Sequence, residues 1–392
     1  AMTGSANVLI GDRVCPSNVL TGSYNIVLGS GGYEATAMTS GERNVILGTG
    51  FTAQDITTGH RNFISGTFAG MNITTGNQNI VIGTSSFQTA TTSAHAIALG
   101  TYALYAQTTG NYNVAFGYSA GYSVTTGEKN VCVGFDSGKG ITEGDHNVCL
   151  GSHANGNSSS AYTADEGVFI GYYSSYNYAL TSGYANVTIG SQSGYDSTTS
   201  NENTFIGTFA GYHCTTGARN VAIGISAWVG TTGNDNTCIG RSAGDGLTTG
   251  SNNTMLGQYA TQSAATVSNE ITLGNSSVAT LRCNVQSISS LSDRRDKTDI
   301  VDLPVGLNFI DSLRPVKFKW QRRTPDQTDG KVRAGFIAQD LQEAQVDSEY
   351  LDLILDNNPD KLEAKQGNLI PVLVKAIQEL SAKVTVLEAK LA

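Results

Sequence analysis

The sequence predicts a mainly β chain: a parallel β-solenoid or β-prism repeat stack, then a small α+β domain ending in a coiled-coil helix. Three observations predict it. A box of Asn, three mostly apolar residues and Gly returns at a near-constant interval; composition changes abruptly near residue 291; and the final segment carries an apolar seam spaced alternately three and four.

The box glycine stands at 11, 29, 48, 66, 83, 100, 117, 134, 151, 171, 190, 207, 224, 240, 257 and 274, giving 16 copies, most of them 17 residues apart. Asn fills the first place in 13 copies, with Ala96, Gly167 and Glu270 as the exceptions. Low-complexity disorder would not hold such a register. A 17-residue unit cannot bury its own apolar face, so neighbouring units must stack into one continuous core. The triplets are mostly β-branched or aromatic and too short for helices, which makes each box one rung strand. Stacked asparagines, about 4.8 Å apart, form an amide ladder that satisfies buried polar groups. Thr-Thr-Gly precedes seven boxes, as at Thr57-Thr58-Gly59, and its glycine is expected to supply the positive φ of a tight corner.

The middle residue of the triplet would be polar on a strand with a wet face, yet in most copies it is apolar, as at Leu9, Val27, Ile46, Ile64, Val81, Ala115, Cys132, Phe169, Phe205 and Met255. Both faces are therefore read as buried. One fills the chain's own core, and the other needs a partner, most simply another copy of the chain.

Residues 1 to 291 hold 8 Lys+Arg and 15 Asp+Glu, against 15 and 17 in residues 292 to 392, and 42 of the 46 glycines precede Ser292. The expected domains are accordingly residues 1–285, the repeats, and 286–392, with a helix over 368–392. A net charge of −9 without basic patches argues against nucleic acid as a partner. No run approaches the roughly 20 apolar residues of a membrane span, and an anchoring region outside this sequence is expected. Cys132, Cys149 and Cys238 take the middle triplet position and read as small hydrophobes. No cysteine or histidine spacing suits a metal, and no cofactor is expected. Asp196, Asp235 and Asp245 sit in glycine-rich corners, and nothing singles out a glycosidase pair among them.

Beyond residue 300, Leu307, Phe309, Ile310 and Leu313 suit a short helix, and Val316, Phe318 and Trp320 a strand, with Arg314-Pro315 between them. A further apolar segment begins at Ala334. Asn368 is expected to cap the last helix, with Pro371 in its first turn. On that helix Ile370, Leu373, Ile377, Leu380, Val384, Leu387 and Leu391 form a heptad seam that is buried only against other helices. The seam does not settle how many chains meet.

Four blocks carry a specific resemblance: SDRRDKTDI from Ser292, GLNFIDSLRPVKFKW from Gly306, AGFIAQDLQEA from Ala334 and LIPVLVKAIQELSAKVTVLEAKL from Leu369. In this order they resemble the C-terminal intramolecular chaperone domain of phage endosialidases, tail fibres and neck appendages. The resemblance implies a homotrimer whose chaperone holds three chains together during folding and then frees itself. It also implies Ser292 as nucleophile, Lys297 as its base, and a cut between Leu291 and Ser292. That is single-turnover serine endopeptidase chemistry. The repeats in turn resemble the Asn-x-x-Ile-Gly rungs of trimeric autotransporter adhesin heads and of some viral fibres.

The chemistry is coherent on its own terms. A serine hydroxyl needs a base, and a lysine serves only if desolvation or a nearby cation favours its neutral form. Arg294 and Arg295 are candidate cations, while Asp293 would orient Ser292 or cap the turn. The reading is a viral tail fibre or spike on the virion, assembled in the host cytoplasm, that binds a glycan or protein receptor on the host surface. The rival readings are a cell-surface trimeric adhesin and the scaffold of a polysaccharide depolymerase.

Overall fold

A computed structural model describes residues 3–15, 20–157, 162–163, 165–177, 183–284, 292–321 and 330–391. The chain divides into two units, Ala1–Asn275 and Ser276–Ala392. The expected domain limit at residues 285 and 286 lies outside the described residues.

In the first unit sixteen short strands, β1 (Val8–Ile10) to β16 (Ile271–Leu273), form one sheet in strict sequence order. Every pairing is parallel and joins equivalent box positions, as where Val114 meets Val131 and Ala115 meets Cys132. Turns fill nearly all the remaining circuit of each rung.

Alternation along the triplet decides which side chain faces where. The middle residue points inward: Val27, Ile46, Val81, Ala115, Phe169 and Ala222 are fully buried within the single chain. The first and third residues point outward and are also apolar, with Ile80 and Ile82 each 42% exposed and Phe116 55%. The middle residue is thus the chain's own core, and the flanking pair is the face that needs a partner. Cys132, Cys149 and Cys238 are buried in the middle position. Burial pushes the Cys238 thiol up to about 12, so it stays protonated and inert at neutral pH.

The amide ladder runs along one end of the strands. Asn203 Oδ1 accepts from the backbone N of Asn220 at 2.9 Å and from its Nδ2 at 3.1 Å. Asn220 Nδ2 also donates to the Gly233 carbonyl at 2.8 Å, and Asn220 Oδ1 accepts the same pair of bonds from Asn236. The three departures from Asn are each accommodated. Ala96 keeps the backbone bond to Asn79 Oδ1, and the amide it lacks is replaced by the buried Gln107, whose Oε1 accepts from Asn113 Nδ2 at 3.2 Å. At Gly167 the hydroxyl of buried Tyr162 donates to Asn147 Oδ1 at 3.1 Å, where an asparagine amide would otherwise donate. Glu270 keeps the backbone bond to Asn253 Oδ1 and accepts from Ser263 N through its carboxylate.

Asn220→Ala orphans the Gly233 carbonyl and the Asn236 N–H in a buried setting. At roughly 1–3 kcal/mol for each unsatisfied group, the loss is about 3 kcal/mol. The thermal midpoint should fall clearly, while Thr216→Ala, at an exposed corner, should leave it unchanged. Equal midpoints for the two variants would remove the ladder as a source of stability.

The corners depart from expectation. Positive φ belongs to most of the box glycines, such as Gly100 at +136° and Gly117 at +141°, and is absent from the Thr-Thr-Gly glycines. The latter are required for space: a Cβ on Gly110 would stand 2.2 Å from the Gly127 carbonyl oxygen of the next rung. The left-handed residue at that corner comes two positions later, at Arg61, Gln78, Tyr112 and Lys129, with φ between 56° and 59°. A non-glycine residue there costs roughly 1–2 kcal/mol. Its backbone N–H bonds to the preceding rung, as from Arg61 to the Glu42 carbonyl at 2.9 Å.

In the second unit α1 (Leu307–Ser312) leads through Arg314-Pro315 to β17 (Val316–Lys319), which pairs antiparallel with β18 (Val332–Gly335). α2 (Ala338–Ala344) follows, then the short antiparallel pair β19 (Ile354–Leu355) and β20 (Glu363–Ala364), and finally α3 (Ile370–Leu391). Leu341, Leu353, Ile354, Leu369 and Val372 form the buried core, with Phe309, Ile310 and Phe336 packed against it. Asn368 does not cap α3. It lies in a 3-10 turn, Gln366–Leu369, and its Nδ2 donates to the Asp352 carbonyl at 2.7 Å, pinning the helix start to the preceding turn. Pro371 stands in the first turn of α3, where its missing N–H costs nothing.

Candidate functional site

The residues singled out by sequence sit on a single turn. Asp293 is extended (ψ 135°), and its side chain accepts from the Arg295 N–H at 2.9 Å. This caps one turn of 3-10 helix, Arg294–Asp296, after which Lys297 is extended again (φ −127°, ψ 140°). Entering and leaving one turn brings residues five apart back together. Lys297 Nζ donates to Ser292 Oγ at 2.6 Å. Leu291, on the other side of the expected cut, lies outside the described residues.

Asp293 therefore takes the capping role rather than contacting Ser292. Arg295 binds that same carboxylate, with Nη2 to Oδ2 at 2.6 Å and Nε to Oδ1 at 3.1 Å. The Arg295 guanidinium, then its backbone N–H, hold the Asp293 carboxyl below the usual carboxylate range. An arginine compensated in this way adds little field at Lys297, and Arg294 stands exposed in the turn. Ser292, Asp293, Arg294, Arg295 and Lys297 are all exposed.

Ser292 and Lys297 are thus in hydrogen-bond contact, with the lysine Nζ donating. General-base chemistry would need the opposite direction, from hydroxyl to amine.

Two further contacts tie the quoted blocks together and were not foreseen from spacing. Arg314 Nη2 reaches Asp340 Oδ2 at 2.7 Å, joining the Arg-Pro break to α2. Glu379 of α3 accepts from the Leu307 backbone N at 2.8 Å, placing an acid at the start of α1. Glu379 could have been noticed as an acid on the helix flank away from the heptad seam.

In the repeats, Asp196 Oδ2 lies 2.7 Å from His213 Nδ1 and Asp235 forms an ion pair with Arg219 at 2.7 Å, so both carboxylates have side-chain partners. Among the described residues no group of three or more His, Cys, Asp or Glu side chains could hold a metal ion, and no helix is long and apolar enough to cross a membrane.

Residues 292–349 match the family model described as the chaperone of endosialidase. The match starts on Ser292 and runs through α1, β17, β18 and α2. No curated protein and no solved structure matches the chain.

Proposed function

We propose that this chain is a subunit of a homotrimeric viral fibre or spike that attaches to a host surface. Its C-terminal domain registers the three chains during folding and then leaves by self-cleavage between Leu291 and Ser292. The observation that carries the reading is the Ser292–Lys297 contact at the very start of the segment similar to the endosialidase chaperone.

The physical need for a template is plain. In-register parallel rungs have a high closure cost and expose unpaired edges until they are stacked. The outward strand residues add an apolar stripe along β1 to β16, and three chains can bury it against one another. A domain that first joins three chains through α3 removes most of that entropic cost. Its departure leaves the assembled stack without the means to refold, and so kinetically trapped.

The cleavage step balances as an acyl transfer. Ser292 Oγ attacks the Leu291 carbonyl carbon while its proton passes to the Lys297 amine. The Leu291–Ser292 C–N bond breaks, and the leaving nitrogen takes that proton back. The resulting ester is hydrolysed by water, yielding the Leu291 carboxylate and a free Ser292 amine and hydroxyl. Release of residues 1–291 by direct attack of water activated by the same pair is the variant of this scheme without an ester.

The test is light scattering on the uncut Ser292→Ala chain, followed by binding of the released 1–291 fragment to host cells. The expected mass is three times the 41.0 kDa of one chain. A mass of twice that value, which the β-branched and Leu alternation of the α3 seam would suit, overturns the trimer. A released stack that binds no cell surface overturns the attachment role and leaves a spacer.

A further inference from the structure

A regular rung is built to be stacked upon, and three of its features do this. Its Asn Oδ1 accepts from the N–H of the following box, as Asn220 does from Asn236 at 2.9 Å. Its Asn Nδ2 donates to the corner carbonyl of the following rung, as Asn236 does to Gly250 at 2.9 Å. Its corner glycine leaves room for that carbonyl. A Cβ on Gly217 would stand 2.5 Å from the Gly233 oxygen, and Gly233 and Gly250 are crowded in the same way by the carbonyls of Gly250 and Val267.

The last rung, which carries β16, lacks all three. Its corner reads Ala265-Thr266-Val267 where regular corners read Thr-Thr-Gly. A Cβ at this place points toward the following rung, so Val267 sets a branched carbon where the next corner carbonyl would come. Glu270 fills the Asn place and has no side-chain N–H with which to reach a carbonyl. Its carboxylate is engaged within its own rung: Oε1 accepts from Ser263 N at 2.9 Å and from Thr272 Oγ1 at 3.1 Å, and Oε2 accepts from Ser263 Oγ.

The other two departures from Asn do not end the ladder. Ala96 and Gly167 are compensated by Gln107 and Tyr162, and the Asn-to-Asn bonds resume beyond both, from Asn130 to Asn113 and from Asn203 to Asn186. Glu270 instead turns back on the rung it belongs to. Met255, the middle residue of the rung before, is fully buried, whereas Thr272 is only half-buried and holds its hydroxyl on Glu270.

We propose that Val267 and Glu270, with Ser263 and Thr272 as partners of the carboxylate, make the last rung a terminator. It closes this end of the stack to a further rung, whether of this chain or of a second copy. Without such a stop, a parallel sheet presents a row of unpaired backbone groups that templates another strand. Stacked repeats need a terminal unit with a polar outer face, and a carboxylate beside a branched corner residue supplies one. The closure acts on rungs alone and is independent of the number of chains and of the cut after Leu291.

The test inserts a copy of residues 241–257, one complete 17-residue rung, after Gly274 of the Ser292→Ala chain, and follows its amide hydrogen exchange by mass spectrometry. Thr248→Ser in the copy alone gives its peptides a distinct mass. Behind the native last rung the copy should exchange at close to the unfolded rate. Val267→Gly combined with Glu270→Asn restores the two residues that a regular rung carries, and behind that edge the copy should exchange roughly a hundredfold more slowly. A copy protected equally behind the native edge overturns the proposal, as does a copy left unprotected behind the substituted one. The double variant without the insert separates closure from folding. If residues 221–256 lose protection in it, Val267 and Glu270 hold the stack together rather than close it, and the proposal falls.

Discussion

Ser292→Ala keeps the chain whole, at 392 residues, where the wild type yields fragments 1–291 and 292–392 on denaturing electrophoresis. Nothing else in the turn can replace the lost hydroxyl, so the rate should drop by roughly 10⁴-fold or more, which in practice means no cut. Lys297→Ala should also stay whole. Lys297→Arg is the sharper variant, because it keeps the positive charge and most of the reach while a guanidinium cannot accept the proton. If Lys297 served only to hold the turn through its 2.6 Å bond to Ser292 Oγ, the arginine variant would still cut; if it is the base, that variant is inert. Ser292→Cys should cut, since a thiol is the better nucleophile. Brief treatment of the denatured wild type with hydroxylamine during cleavage would trap an ester and separate acyl transfer from direct hydrolysis. An uncut wild type, or a Ser292→Ala chain cut at the same bond, ends the assignment.

The stacking of the repeats was legible because its cause is periodic. An Asn every rung implies an amide ladder, and an apolar triplet implies a strand, whatever the rest of the rung does. What escaped was whatever a single exception required. Nothing in Gln107 or Tyr162, read alone, says that one replaces the missing amide of Ala96 and the other that of Gly167; both compensate across rungs, which spacing does not reveal. The Thr-Thr-Gly glycines misled for a related reason. A corner glycine usually signals positive φ, but here it marks the approach of the next rung's backbone, and a different residue carries the left-handed turn. At the candidate site the Ser292 to Lys297 spacing was informative because one capped turn closes it. Asp293 takes the capping role, one of the two expected of it, while Arg295, expected as a cation beside Lys297, instead binds that carboxylate because two opposite charges two residues apart satisfy each other first.

Lysines at Leu380 and Leu387 should abolish the oligomer. α3 has two different flanks. Val372 and Ala376 are buried in their own domain, whereas Leu373, Ile377, Leu380, Val384 and Leu387 are between 43% and 66% exposed in the single chain. From Ser381 onward every described side chain of the helix is exposed. A free helical segment that short is marginal in water, and in the proposed trimer partner helices would support it. In heptad terms Leu380 and Leu387 take equivalent core positions, and Lys383 falls where it can pair with Glu388 of a neighbouring parallel helix. Each buried leucine contributes roughly 2 kcal/mol, so two per chain in three chains amount to about 12 kcal/mol, before the cost of crowding six ammonium groups. That exceeds what a micromolar assembly can lose, and light scattering on the Ser292→Ala background should report single chains. Lysines at Ala382 and Ala389 add the same charge on the outer face of the helix and should leave the mass unchanged. If folding of the repeats depends on prior joining of the chains, the Leu380 and Leu387 variant should also send the repeats into the insoluble fraction. A soluble, correctly stacked single chain would separate the two roles and leave α3 as a clamp that is not required for folding.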